Sequence, residues 1–341
     1  MVMSDEPRDF SRMTKQERKE LVERIHVKSS RTEQIIELLE HSREHSKISA
    51  EPECMLLLGE RGNGKTTVCK RFASKHPRRV MDGSTVLPVL FVSIPSPTTT
   101  KSLPTKILKD MGDPLWDKGS IVVQTLRMCG LLKDLQTEVV ILDEFHGFID
   151  GKTDRAVLEV SNWLKDVINE TRKAFVLAGL PYCDIVLQAN DQLERRFPVR
   201  RTLHPLGWKN GKDREYFINF LAKVDEKLPF NDRSNLADEH VAHRIYVATN
   251  GVIDFVMKIV RRAAELAIDK DMKKIEMPLL ARAYRERISA IVPGRRNPFT
   301  IPEDDLEITP FPAGVLGIMA TNRRAKAKER KMSVSETFGR S

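Results

Sequence analysis

Short, uninterrupted apolar runs alternate with helically spaced apolar positions through the middle of this chain. That alternation predicts strands joined by helices. The runs are Met55-Leu56-Leu57-Leu58, Val86-Leu87-Pro88-Val89-Leu90-Phe91-Val92-Ser93-Ile94, Val139-Val140-Ile141-Leu142, Ala174-Phe175-Val176-Leu177-Ala178-Gly179 and a shorter Arg200-Arg201-Thr202-Leu203-His204-Pro205-Leu206. Between them, helical spacing is read from about Leu103, from Ile121 to Leu135 and over Val157–Asn169.

The two ends follow other patterns. Residues 1–13 are polar. Thr14-Lys15-Gln16-Glu17 and Ser30-Arg31-Thr32-Glu33 both have the form of a capping box, each ahead of an apolar stripe. They predict two amphipathic helices, which either pack on the strand-bearing region or form a separate partner-binding module. From Trp208 to about Ile291 the pattern is wholly helical. Tyr216, Phe217, Phe220 and Leu221 share one face, Ile253, Val256, Met257 and Val260 another, and Leu279, Leu280 and Tyr284 a third. Composition shifts at Pro293-Gly294-Arg295-Arg296-Asn297-Pro298. The expected organisation is a helical extension at 1–48, an α/β domain at 49–207, a small helical lid at 208–291, and a linker and partly disordered tail at 292–341.

One stretch carries explicit chemistry. Gly59, Glu60, Arg61, Gly62, Asn63, Gly64, Lys65 and Thr66 follow the first apolar run and, with Thr67, open a helix, which is the full context of a P-loop. The glycines let backbone N–H groups turn inward around phosphate oxygens at the positive end of a helix dipole. Lys65 is expected to reach the β- and γ-phosphates of ATP, and Thr66 to ligate Mg²⁺.

The run ending in Asp143-Glu144 is the expected Walker B strand, with Asp143 on Mg²⁺ and Glu144 polarising the attacking water. Asp143-Glu144-Phe145-His146 also spells the D-E-x-H of some helicases, but no second nucleotide domain with a glutamine–arginine motif follows. His146 is therefore read as a residue acting behind the site or as a sensor at the strand end. Arg195 and Arg196 lie between the fourth and fifth strands, out of easy reach of the chain's own P-loop. They are placed either to enter a neighbour's site as an arginine finger or to sit in a surface salt bridge. Thr98, Thr99, Thr100 and Lys101, with Lys106 just beyond, either contact a phosphate backbone or form an ordinary capped loop.

Composition narrows the classes. Four scattered cysteines without a C-x-x-C pair argue for a reducing cytoplasm and against structural zinc or disulfides. No apolar run approaches the ~18 residues of a membrane span. A net charge of +9 is compatible with nucleic acid as a partner. The cluster Arg323-Arg324-Ala325-Lys326-Ala327-Lys328-Glu329-Arg330-Lys331 either touches DNA or keeps the tail solvated.

P-loop, Asp-Glu strand end, a following strand, an Arg-Arg-Phe box and a helical lid together resemble the AAA+ ATPases. The implied fold is a parallel sheet of about five strands flanked by helices, with a C-terminal helical lid. More narrowly, Asp143-Glu144-Phe145-His146 followed by Gly151, Leu177-Ala178-Gly179, and Asp191-Gln192-Leu193-Glu194-Arg195-Arg196-Phe197 resemble the TniB/TnsC family of transposition regulators in Tn7-like and related elements. The resemblance covers roughly residues 15–290.

It implies homo-oligomeric rings or helical filaments on duplex DNA in the ATP state, within the bacterial cytoplasm. It also implies a link between a target-selection protein or complex and a transposase, with hydrolysis driving disassembly. Two positions depart from the AAA+ pattern. Ala178-Gly179-Leu180 lacks a polar sensor, and Asp254 stands where Gly-x-x-Arg places an arginine, leaving Lys258, Arg261 or Arg262 as substitutes. Slow or partner-stimulated hydrolysis is the consequence expected. Alternatives are another AAA+ DNA ATPase, such as a replication initiator, clamp loader or motor, or a nucleotide switch without DNA.

Overall fold

A computed structural model of the chain describes residues 9–10, 12–49, 51–95, 102–150, 152–312 and 314–316. Helices α1 (Lys15–Glu23) and α2 (Ser30–Ile48) precede strand β1 (Met55–Gly59). The Thr14–Glu17 capping box forms as its spacing predicts. The second box sits one residue early, because Ser29 takes the cap and Thr32 reaches back to its N–H. A serine and a threonine satisfy two orphan donors as well as the Ser–Glu pairing would.

The chain continues through α3 (Lys65–Lys75), β2 (Arg79–Met81), β3 (Ser84–Val86), β4 (Val89–Ser93), α4 (Ser102–Met111) and α5 (Ile121–Asp134). It then forms β5 (Val139–Asp143), α6 (Asp154–Thr171), β6 (Ala174–Gly179), the one-turn helices α7 (Ile185–Gln188) and α8 (Asp191–Glu194), and β7 (Val199–Leu203). The apolar run at 86–94 is two elements rather than one. Pro88 has no N–H to give a ladder, and its carbonyl instead accepts from Glu138 and Val139. Ahead of it, β3 pairs antiparallel with β2 around Asp82-Gly83, both at positive φ as such a tight turn requires.

Five strands form one sheet in the order β4-β5-β6-β1-β7, and every pairing is parallel. Period-two alternation splits its side chains between two cores. Met55 and Leu57, Val139 and Ile141, and Val176 face Val68 and Phe72 of α3 and Ile36 and Leu39 of α2. Leu56, Val140, Leu142, Phe175 and Leu177 face Ile107 of α4, Met128 of α5 and Leu164 of α6. Burial on both faces explains why these strands read as continuous apolar runs. Because β1 lies inside the sheet while its successor β4 lies at the far edge, strand order reverses beside β1. The crevice at the carboxyl ends there is where such sheets take ligands.

The helical region comprises α9 (Gly211–Lys227), α10 (Glu239–Thr249), α11 (Ile253–Asp269) and α12 (Met277–Arg287). Its core extends beyond its own helices. Val22 and Ile25 enter from the N-terminal side, and Lys15 and Lys19 of α1 pair with Asp271 and Asp269. Of the two N-terminal helices, α1 thus sits on the helical region while α2 covers the sheet. The segment after Ile291, expected to be linker, buries Phe299, Phe311 and Leu316 in the same core, with Phe311 edge-on to Phe255 at 5.1 Å. Among the described residues, no helix is long and apolar enough to cross a membrane.

Candidate functional site

The loop after β1 is built to hold an anion. Gly62 and Gly64 adopt φ of 81° and 91°, a region other residues enter only with strain. Gly64 caps α3 without any side-chain bond, so the first N–H groups of that helix stay open to a ligand. A Cβ on Gly62 would meet Asp254 and Val252 at 2.9 Å, so this glycine also lets α11 close against the loop, where Asp254 N–H donates to the Gly62 carbonyl at 3.0 Å. At the loop's other shoulder, Arg61 N–H donates to the carbonyl of Leu316.

Lys65 is buried, and its Nζ donates to the carbonyls of Gly59 at 2.7 Å and Glu60 at 3.1 Å. Burial pulls its pKa down, while Glu144 and Asp143 oppose that pull. Asn63 is buried too, its amide donating to Leu203 of β7 and bracing the loop from behind.

Asp143, the last residue of β5, is fully buried, and neither carboxylate oxygen has a hydrogen-bond partner among the described residues. Burial pushes its carboxyl up, opposed by the Thr66 hydroxyl beside it. A desolvated anion left without a partner is costly unless something else satisfies it. The Thr66–Asp143 pair fits Mg²⁺, which binds through one or two protein oxygens plus phosphates and waters. No cluster of three or more His, Cys, Asp or Glu competes as a metal cage among the described residues.

Glu144 follows at φ 57°, with its side chain 43% exposed towards the cleft. The Nε2 of buried His146 stands 3.3 Å from its Oε2. Burial lowers the His146 pKa against the pull of Glu144 and Asp150, while Arg61 and Lys65 lower it further. Where β6 lacks a polar sensor, at Gly179, a Cβ would lie 2.5 Å from Cys183 Sγ, so a side chain there would require Cys183 to shift.

The arginine pair lies elsewhere. The Arg196 carbonyl accepts from Cys54 N–H, which ties it to the start of β1, whereas the P-loop leaves the end of that strand. Five extended residues separate the two by roughly 16 Å. Arg196 is mostly covered and stands 3.9 Å from Glu51; Arg195 is exposed and in no ion pair among the described residues. Of the expected DNA contacts, Thr98, Thr99, Thr100 and Lys101 fall outside the described residues. Lys106 lies on α4, ion-paired to Asp110 one turn on.

The three lid cations separate. Lys258 pairs with Asp254 at 2.7 Å, Arg262 is held by Glu265 and Glu286, and Arg261 lines the nucleotide cleft. Arg261 donates to the Ile25 carbonyl at 3.2 Å, and its Nε is buried without a partner among the described residues. The remaining wall was not legible in the sequence. Ile25, His26 and Val27 between α1 and α2, Phe220 of α9, and Ile253 and Met257 of α11 close a cavity of about 470 Å³ around the P-loop. Its apolar end suits a flat base. Met257 and Phe220 carried only a core signal, and nothing local ties residue 25 to a loop some forty positions later.

Among solved structures the chain resembles ORC and Cdc6 proteins. The Aeropyrum pernix ORC2 protein in its ADP form is 16% identical with a TM-score of 0.59, covering 79% of this chain and 72% of that one. The Pyrobaculum aerophilum Cdc6p structure is 14% identical with a TM-score of 0.56, over 78% and 70%. The Aeropyrum pernix ORC1 protein in complex with DNA is 15% identical with a TM-score of 0.55, over 79% and 69%. At such identities the likeness establishes the fold, that of the P-loop AAA+ ATPases with a helical C-terminal region. No curated protein sequence matches the chain. The family model of the bacterial TniB protein matches residues 17–208, which include the P-loop, the Asp-Glu strand end and the arginine pair. The chain therefore belongs to the TniB family.

Proposed function

We propose that this protein is an ATP-dependent regulator of DNA transposition, which assembles with copies of itself on duplex DNA in the ATP state and releases on hydrolysis. The observation that carries the reading is the division of the hydrolytic machinery between the two ends of β1. Lys65, Thr66, Asp143 and Glu144 converge at one end, while Arg195 and Arg196 sit at the other, where they serve a neighbouring copy better than their own P-loop. A site that needs a second copy makes turnover a property of the assembly.

In this reading Lys65 leaves the carbonyls of Gly59 and Glu60 for the β- and γ-phosphates, and the backbone from Gly62 to Thr67 cradles the phosphate chain. Thr66 and Asp143 hold Mg²⁺, which supplies charge neutralisation at the phosphates when bound. Glu144 accepts the proton of the attacking water, and the exposed Arg195 is the finger. DNA is gripped by its backbone, through the loop that contains Thr98–Lys101, with a transposase and a target selector as further partners. The fold likeness to an ORC1 protein solved with DNA supports DNA as the platform.

Negative-stain electron microscopy tests this directly, with duplex DNA and ATP, ADP or no nucleotide, beside Glu144→Gln. Ordered rings or filaments on DNA with ATP alone, persisting in the variant, are the expected result. Particles that stay monomeric and ignore DNA would leave a nucleotide switch without a DNA partner as the better account.

A further inference from the structure

We infer that His146 is a positioning residue for Glu144, a fixed imidazole standing 3.3 Å behind one carboxylate oxygen, so that the other is presented to water. The inference rests on the hydrolase reading of the site.

The turn itself argues for a fixed holder. Glu144 and His146 lie two residues apart on a single turn, closed by Gly147 N–H to the Glu144 carbonyl at 2.9 Å and by Ile149 N–H to the His146 carbonyl at 2.8 Å. Phe145 and Phe148 of the same turn are buried in the core beneath the sheet, their rings 5.3 Å apart. A switch has to move relative to the group it controls. Donor and acceptor here share one anchored turn, so closure of α11 over the cleft moves neither against the other.

The chemistry of the imidazole agrees. Its Nδ1 is buried without a partner among the described residues, and its Nε2 faces Glu144. A proton on Nδ1 would leave a buried donor unsatisfied and aim a lone pair at a carboxylate. The tautomer with Nε2–H avoids both, and a neutral N–H orients the carboxylate without neutralising it. Oε2 is thereby backed by the imidazole at 3.3 Å, and Oε1 remains for water on the exposed side of Glu144. Behind Glu144, at the end of β6, Gly179 carries no side chain, and a Cβ there would meet Cys183 Sγ at 2.5 Å. His146 is the polar side chain that does stand behind the catalytic carboxylate.

The test uses the full chain with duplex DNA, in single-turnover hydrolysis with ATP binding measured separately. His146→Leu keeps the volume and removes the donor; His146→Gln places an amide nitrogen near the former Nε2. His146→Leu is expected to lower the hydrolysis rate by about tenfold or more with ATP affinity unchanged, since a misplaced catalytic group costs up to about a hundredfold. His146→Gln is expected to recover most of that loss. In a Glu144→Gln background, His146→Leu should have no further effect, because the group it positions is gone.

Equal losses in both backgrounds, a glutamine no better than leucine, or a parallel loss of ATP binding would each assign His146 a structural role and overturn the inference. An unchanged rate in His146→Leu, with Glu144→Gln inactive, overturns the inference alone. A Glu144→Gln chain that hydrolyses at the normal rate removes the hydrolase reading together with it.

Discussion

Asp143 and Glu144 are neighbours with opposite surroundings. The first is sealed in with the Thr66 hydroxyl and the Glu144 backbone beside it; the second reaches the cleft, with His146 Nε2 3.3 Å from its carboxylate. A buried carboxylate without a partner is a local cost that a metal ion converts into binding, so Asp143 sets stability against function. Asp143→Asn removes the charge and is expected to raise the melting temperature of the nucleotide-free chain by about 1–2 °C, from ~1 kcal/mol in a chain of this length. Measured by titration with and without Mg²⁺, the same variant should bind ATP without the metal-dependent tightening of the parent chain. A fall in nucleotide-free stability would mean that Asp143 has a protein partner after all. In the sequence, Asp143 was legible as an acid ending an apolar run beside a complete P-loop. Its isolation was not, because a missing partner is a property of everything packed around it.

At the scale of elements, α11 is the piece that joins the cleft to the helical core. Its first turn touches the P-loop at Gly62, its middle lines the cleft through Met257 and Arg261, and the adjacent Arg262 clasps it to α12. The clasp is ionic. Arg262 and Arg282 both donate to Glu286, the latter at 2.7 Å, and together they pull its carboxyl from 4.5 down to about 2. A carboxylate whose folded pKa is depressed contributes stability above its unfolded value and loses it as pH falls through the folded one. Denaturation midpoints should therefore fall between about pH 4.5 and 2 more steeply in the parent chain than in Glu286→Gln. The exposed position of Glu286 limits the size of the difference, and added salt should shrink it. Identical pH slopes for the two chains would rule the clasp out. Helical spacing identified α11 as an amphipathic helix, yet the choice among Lys258, Arg261 and Arg262 depended on which cations found acids first. Arg262 found two, Lys258 found Asp254 at 2.7 Å, and Arg261, with only the looser contact to Glu23 at 3.8 Å, faces the cleft.

At the scale of the whole molecule, the arginine pair and the P-loop occupy opposite ends of one strand, so on the proposed reading a single copy carries two incomplete halves of a site. Arg195→Ala is expected to bind ATP normally and to hydrolyse it about 10³-fold more slowly, the lower end of the range for an arginine finger. Mixing it with Lys65→Ala, itself inactive, should restore turnover, because one variant supplies the intact cleft and the other the intact finger. A mixture no more active than its parts would place the finger elsewhere or remove the need for a second copy.

What the sequence determined by itself was whatever depends on near neighbours. The sheet strands were visible because strands buried on both faces must be apolar throughout. The P-loop was visible because glycines, a lysine and a threonine at fixed spacing shape their own backbone, and the first helix start because Thr14 and Glu17 satisfy each other within one turn. Tertiary structure alone decided what depends on distant ones. It set the order of strands, the division of the N-terminal helices between sheet and helical core, the burial of Phe299 and Phe311, and the wall of Ile25, Val27, Phe220 and Met257 around the cleft. Apolar surface carries no address: the same side chains lose water equally well against many partners, and only the closed fold selects among them.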